Sequence, residues 1–326
     1  MLELMKGIRS IFEASTAVNK GNKILVIADD DGNSTWLGQA IVNVINSMDA
    51  EAVQIVVPRR RHGKGEGAGE PPPVVAAAMK SVDVVFRVSG DNNWVHSDAR
   101  KEAANAGVRY RIIGGVPLED LERGVSAEDY QQIKQQTEKV ATRLSEAKVA
   151  RVTTQLGTNI TMDLTSRGAE AHHPLGDVGG GLPYNAEAAI APMEGSAEGV
   201  IVADLAIVQW QYRLRDPLRL TVKAGKVVDI SGGAREDADR LRSMLARDEN
   251  ANNIAELGIG TSHVIPWPMH GTRRDAGRIG TAHIGIGRNS DIGGKTWSRI
   301  HQDALMSMVT VQLDSDYLFK EGALLF

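Results

Sequence analysis

Glu256, His283, His301 and Asp303 fall within 48 residues, each in a short apolar segment beside glycines or at strand spacing. The segments read Asn252-Asn-Ile-Ala-Glu-Leu-Gly-Ile-Gly260, Gly280-Thr-Ala-His-Ile-Gly-Ile-Gly287 and Arg299-Ile-His-Gln-Asp303. A carboxylate in such an apolar string carries a desolvation cost that a cation or a buried hydrogen-bonding partner must offset. His301 and Asp303 are two residues apart, and in an extended strand such side chains leave the same face, where one metal ion can take both. A single histidine such as His283 reads as readily as a hydrogen-bonded structural residue. The four groups together read as a metal site. With no cysteine in the chain, disulfides, thiolate zinc sites, iron-sulfur clusters and a cysteine nucleophile are excluded. Oxygen and imidazole are then the strong donors, and a divalent ion (Zn, Mn, Co or Fe(II)) is expected.

The elements that must carry these groups change character along the chain. Lys23–Ala28, Ala52–Val57, Asp83–Val88 and Val108–Ile113 are short β-rich runs, and helix-patterned segments such as Trp36–Met48 and Ser97–Ala106 lie between them. This alternation predicts an α/β domain with a parallel, Rossmann-like sheet over residues 1–148. Ser126 to Ala147, with Tyr130, Ile133, Val140 and Leu144 at helical spacing, predicts a long helix leading out of it. Residues 149–326 alternate like antiparallel strands, with a hairpin over Leu218–Ile230 turning at Lys223–Lys226 and one helix near Arg235–Ala246. The second domain is therefore expected to be α+β and to hold the metal.

Length, charge and composition narrow the class. At 326 residues, 42% hydrophobic, 24% charged and with net charge -4, the chain can build two cored domains. No apolar run approaches the ~18 to 20 residues of a membrane span, and Met1-Leu-Glu-Leu-Met-Lys-Gly-Ile-Arg9 is unlike a secretory leader, so a cytoplasmic protein without membrane contact is expected. The turn after the first strand is Asp29-Asp-Asp-Gly-Asn-Ser34, whose acids would repel a pyrophosphate, so neither a nicotinamide nor a flavin cofactor is expected. Arg59-Arg-Arg-His-Gly-Lys64 is one short basic run in an acidic chain with 4% aromatic residues, and it reads as a solvated loop rather than a nucleic-acid patch. Gly176-Asp-Val-Gly-Gly-Gly181 reads equally as a lid or a connection. His96 follows the strand ending near Ser89, at the carboxyl end where open α/β sheets place ligand groups, and is a candidate acid/base or substrate contact.

The strings Ala255-Glu-Leu-Gly-Ile-Gly260 and Gly280–Gly287, the Gly293-Gly-Lys295 turn and the His301-x-Asp303 pair resemble the aminopeptidase T/aminopeptidase S metallopeptidase superfamily, leucyl-aminopeptidase-like relatives included. The resemblance spans nearly the whole chain and extends to Asn185-Ala-Glu-Ala-Ala-Ile-Ala-Pro-Met-Glu-Gly195. It implies that Glu187, Glu256, His283, His301 and Asp303 hold a two-metal hydrolytic centre, with Glu187 and Glu256 also catalytic, in a homodimer. Those peptidases place a tyrosine seven residues after the position of His283, where this chain has Ser290. The superfamily also includes 2,5-dihydroxypyridine dioxygenase, whose Fe(II) is held by two histidines and an aspartate. That enzyme is similar around Ser196-Ala-Glu-Gly199, His301-x-Asp303 and Val95-His-Ser97, but has a histidine where Glu256 stands, an apolar residue near the place of His283 and no counterpart of Glu187.

Three carboxylates and two imidazoles can hold two divalent ions for amide hydrolysis. His283, His301 and one carboxylate can equally form a facial triad for oxygen chemistry. The presence of Glu187 favours a hydrolase acting on an amide-type bond of a small molecule or short peptide. The alternative is a mononuclear Fe(II) dioxygenase that cleaves a hydroxylated pyridine or related ring.

Overall fold

The computed structural model describes residues 1–58, 70–89, 94, 97–176, 181–184 and 186–326. His96, the basic run 59–64 and residues 177–180 of the glycine-rich stretch lie outside the described residues. Two compact units emerge, Met1–Lys134 with His172–Asn185, and Gln135–Ala171 with Ala186–Phe326. The sequence expectation put the division near residue 148. The units instead divide inside the long helix Ala127–Glu146, because its apolar stripe serves two cores in turn. Near its start the Tyr130 hydroxyl donates to the Pro183 carbonyl at 2.8 Å, whereas Val140, Ala141 and Leu144 join the core of the second unit.

The first unit is built on a four-stranded parallel sheet ordered Glu51–Val57, Lys23–Asp29, Val84–Val88, Arg109–Ile112. Helices Gly32–Asn46, Pro73–Met79 and Asp98–Asn105 connect successive strands. The inner strand runs Ile24-Leu25-Val26-Ile27-Ala28 without an exposed residue, as a strand covered on both faces requires. At its carboxyl end the acid-rich turn has two structural duties. Asp31 caps the following helix, accepting from the Ser34 N–H at 2.9 Å. Asp29 is buried, pairs with the buried Arg87 guanidinium, and accepts from the Ser89 hydroxyl at 2.5 Å. Arg87 also donates to the carbonyls of Ile27 and Val88 and lies 4.3 Å from the Trp94 ring centroid.

In the second unit one sheet has eight antiparallel strands, ordered Lys226–Gly232, Leu218–Lys223, Glu198–Ala203, Asn159–Asp163, Val149–Thr153, Thr310–Leu313, Asp316–Lys320, Ala323–Leu324. The other has six, ordered Ala206–Ile207, His301–Ser307, Thr281–Gly287, Ile254–Gly260, Glu187–Ile190, Glu170–His172. They share one apolar core. Val152, Ile160, Ile201 and Leu220 enter it from the larger sheet, and Ile190, Leu257, Ile259, Ile284, Ile286, Ala304 and Met306 from the smaller. The helix Arg235–Leu245 packs Ala238, Leu241 and Met244 onto the same core. Because strand side chains alternate, a smaller sheet that gives these residues to the core must turn the residues between them to its other face. Among the described residues no helix is long and apolar enough to cross a membrane.

Removing one partner of a buried ion pair strands the other without compensation. We expect Asp29→Ala to lower the unfolding free energy in urea by about 3 to 5 kcal/mol. A loss below about 1 kcal/mol would mean that the backbone carbonyls and Trp94 suffice for the Arg87 charge.

Candidate metal centre

Glu187, Glu256, His283, His301 and Asp303 all lie on the non-core face of the six-stranded sheet, on four adjacent strands. Cross-strand register sets them in rows: Glu256 beside Gly285 beside Asp303, Gly258 beside His283, Gly287 beside His301, and Gly260 beside Glu187. A bulge makes the first row possible. Ile254 pairs with Ile286 and Glu256 with Gly285, leaving Ala255 as the extra residue. Without it, Ile254 and Glu256 would share a face. With it, Ile254 joins the core and Glu256 turns to the site, the re-aiming that bulges characteristically perform.

The glycines between the ligand candidates are spatial requirements. A Cβ on Gly258 would sit 2.1 Å from His283 Cε1 and Nε2, so the imidazole lies flat over the bare backbone. A Cβ on Gly285 would meet Glu256 Cβ at 2.7 Å and His301 Nε2 at 3.0 Å. On this floor the functional atoms converge. His301 Nε2 lies 3.0 Å from Glu256 Oε2 and 2.9 Å from Asp303 Oδ1. His283 Nε2 lies 3.4 Å from Glu256 Oε1 and 3.9 Å from Glu187 Oε2. One ligand atom each from Glu256, His283 and Asp303 falls within 4.8 Å of the others.

Two contacts orient the ligand atoms from behind. His301 Nδ1 meets the Arg288 carbonyl at 2.7 Å, which requires a proton on Nδ1 and points Nε2 at the carboxylates. The Gln209 side chain grips Asp303 twice, donating to Oδ2 at 2.6 Å and accepting from the Asp303 N–H at 2.8 Å. That leaves Oδ1 toward His301. The His283 Nδ1 is buried with no hydrogen-bond partner, so its inward Nε2 is the atom with interactions.

Electrostatics follow from this geometry. Burial alone would raise the Glu256 carboxyl, but hydrogen bonds from His283 and His301 outweigh it and hold the group well below the usual carboxylate range. Asp303 is likewise held low, against burial, by the His301 charge. Burial would lower both imidazoles. Glu256, Asp303 and Glu187 raise His283 instead to about 9, while Asp303 and Glu256 raise His301 well above its usual value. The carboxylates thus favour positive charge at both imidazoles. A divalent cation fits among these groups: oxygen and imidazole donors converge over a glycine floor that a Cβ would fill.

Other arginines, histidines and tryptophans of the chain take different places. Arg274 is buried, pairs with Asp275 at 2.8 Å and donates to the carbonyls of Pro266 and Pro268, which is a loop-holding role. Arg288 pairs with Asp291 at 3.3 Å. His173 is buried and His172 half-buried, and Trp267 and Trp297 are exposed. Gln209, the Ala255 bulge and the Arg288 carbonyl leave no signature in sequence. The spacing of Gly258 and Gly285 two residues from Glu256 and His283 was the available sign of the floor.

The comparisons now bear on this geometry. Residues 3–326 match the family model described as NicX, 2,5-dihydroxypyridine 5,6-dioxygenase. The chain belongs to the NicX family. Among solved structures it is similar to 2,5-dihydroxypyridine dioxygenase from Pseudomonas putida KT2440, with TM-score 0.79 and 19% identity over 99% of this chain and 96% of that one. It is also similar to wild-type AmpT from Thermus thermophilus, with TM-score 0.67 and 14% identity over 99% of each chain. At these identities the structural likenesses speak for the fold, and both lie in the superfamily that the C-terminal motifs resemble. No curated protein matches the sequence. Family membership makes the chain an enzyme and leaves the choice between oxygenase and hydrolase to the site.

Two outcomes test the cluster as a cation site. Gly258→Ala drives a methyl group into the His283 ring, and we expect it to weaken divalent-metal binding by about 10-fold or more with the far-UV circular dichroism unchanged. A metal-binding histidine must shed its proton, and both imidazoles are raised, with His283 at about 9. Binding should therefore release protons at neutral pH and tighten as pH rises toward 9. Calorimetry near neutral pH in buffers of different ionisation enthalpy reads this directly, and a buffer-independent heat would refute it.

Proposed function

We propose that the chain is an Fe(II)-dependent oxygenase that cleaves a hydroxylated pyridine or a related electron-rich ring. The NicX family match over residues 3–326 carries this reading. The site supports it with two imidazoles and two carboxylates converging from adjacent strands. The sequence had favoured hydrolysis because Glu187 is present. The family match shifts the balance to the dioxygenase alternative.

In this reading Glu256, His283, His301 and Asp303 would hold the ion, with Glu187 beside them. Bound there, Fe(II) supplies the one-electron chemistry that dioxygen requires. The chain's own groups do the rest. The Arg288 carbonyl keeps the His301 proton on Nδ1 so that Nε2 is the donor, and Gln209 holds Asp303 Oδ2 so that Oδ1 faces inward. Of the ligand groups Glu256 and His283 are buried on the sheet face. Glu187, 3.9 Å from His283 Nε2, would accept a proton from a ring hydroxyl. His96 remains a second acid/base candidate on its sequence position alone.

A second reading rests on one observation. Glu256 presents Oε2 to His301 and Oε1 to His283, the way a carboxylate bridges two ions, and Glu187 stands on the His283 side. Two such ions would supply Lewis acidity and a hydroxide for amide hydrolysis.

An oxygen electrode separates the two. We expect a hydroxypyridine to be consumed only with Fe(II) present, with matching oxygen uptake and no turnover under anaerobic conditions. Anaerobic hydrolysis of amides or short peptides by the Zn, Mn or Co form would install the second reading. In either case, replacing both His301 and Asp303 by Ala should abolish metal retention and turnover together.

A further inference from the structure

The loop that joins the His283 strand to the His301 strand, residues 288–296, is held by a polar clamp outside the ligand set. Glu194 is its centre. One carboxylate oxygen accepts from Asn289 Nδ2 at 3.1 Å and from the Lys295 N–H at 2.7 Å, and the other meets the Arg167 guanidinium. Arg167 also donates to the Gly293 carbonyl and touches Met193 Sδ at 3.3 Å. Asn289 is fully buried. Its Oδ1 accepts from the Thr296 N–H at 2.8 Å, and its carbonyl accepts from Ile292 and Gly294. A Cβ on Gly294 would lie 2.0 Å from Asn289 Cγ, so the turn closes on the asparagine side chain with no space left.

The residue immediately before this clamp is Arg288. Its carbonyl takes the His301 Nδ1 proton at 2.7 Å, and its N–H donates to the Ile300 carbonyl at 2.9 Å. A backbone carbonyl at a strand end has no fixed direction unless the chain on both sides is held. Here the sheet register holds one side, through Gly287 opposite His301, and the clamp holds the other. Glu194 is kept ionised for the task. Its carboxyl stays below the usual range although burial opposes this, because the Lys295 N–H, Asn289 and Arg167 all favour the charge.

We propose that Glu194, Arg167 and Asn289 are positioning residues that set the direction of the Arg288 carbonyl, and through it the ring orientation and donor nitrogen of His301. The inference rests on the metal-centre reading. It adds that ligand geometry is governed from a salt-bridged clamp whose side chains hydrogen-bond to no ligand side chain.

Two readouts on the whole protein keep the proposal separable from that reading. The first is the Nδ1–H of His301 in metal-free protein carrying 15N-histidine. A directed carbonyl protects this proton from exchange, so it should be visible in the wild type and lost in Glu194→Ala and Asn289→Ala. The second is the dissociation constant for Co(II), followed by its visible absorption, which should rise roughly 10- to 100-fold in Glu194→Ala. Glu194→Gln keeps an acceptor for Asn289 and Lys295, and should fall between wild type and Glu194→Ala. If the wild type binds no Co(II), the metal reading fails while the exchange readout still decides the positioning role. Should Glu194→Ala not fold, Glu194→Gln and Asn289→Ala carry the test. A folded variant with a protected Nδ1–H and Co(II) affinity within about 2-fold of wild type overturns the proposal.

Discussion

Glu256 and Asp303 flank the same glycine on one sheet face, with Glu187 one strand beyond Glu256, and carboxylates so placed need positive charge between them. The two imidazoles stand among these carboxylates, which raise both of them against the effect of burial. The rest of the second unit follows from making this face possible. The opposite face is largely apolar and anchors the sheet, so Leu257, Ile259, Ile284 and Ile286 alternate with the functional positions. The strands between the carboxylates must be bare at Gly258 and Gly285, because side chains there would occupy the space the rings need.

Around that face, precision comes from groups with no chemistry of their own. A glutamine amide fixes which oxygen of Asp303 looks inward, and a backbone carbonyl fixes which nitrogen of His301 does. Orientation by hydrogen bonds behind the donors is the usual way proteins tune such centres. The loop after the His283 strand and the short Val208–Trp210 turn that carries Gln209 therefore belong to the site as much as the strands do.

The fold is shared with a 2,5-dihydroxypyridine dioxygenase and with AmpT, and a fold alone does not select a reaction. Selection falls to the donor set. In this chain the two oxygens of Glu256 face different histidines, an arrangement that suits one ion held by many donors or two ions sharing a bridge. The family match favours oxygen chemistry, and Glu187 is the residue on which the alternative turns. The first unit shows the same economy of charge. In its acid-rich turn Asp29 is matched to Arg87 and Asp31 to a helix end.

Much of this was legible in the chain. Short β-branched runs separated by helical spacing declared the parallel sheet, and His301 and Asp303 at strand spacing declared a shared face, because both patterns depend only on local geometry. Isolated carboxylates and imidazoles in apolar strings likewise announced that something must compensate them. What only tertiary structure decided was every relation across strands. The bulge at Ala255 that turns Glu256 toward the site, the pairing of Gly285 with both Glu256 and Asp303, and the grip of Gln209 on Asp303 from 94 residues away are matters of register. So is the division of the long helix between two cores, since one amphipathic stripe reads the same whichever core it meets. Sequence periodicity reports which face a residue is on, and only the folded sheet reports which residue it faces.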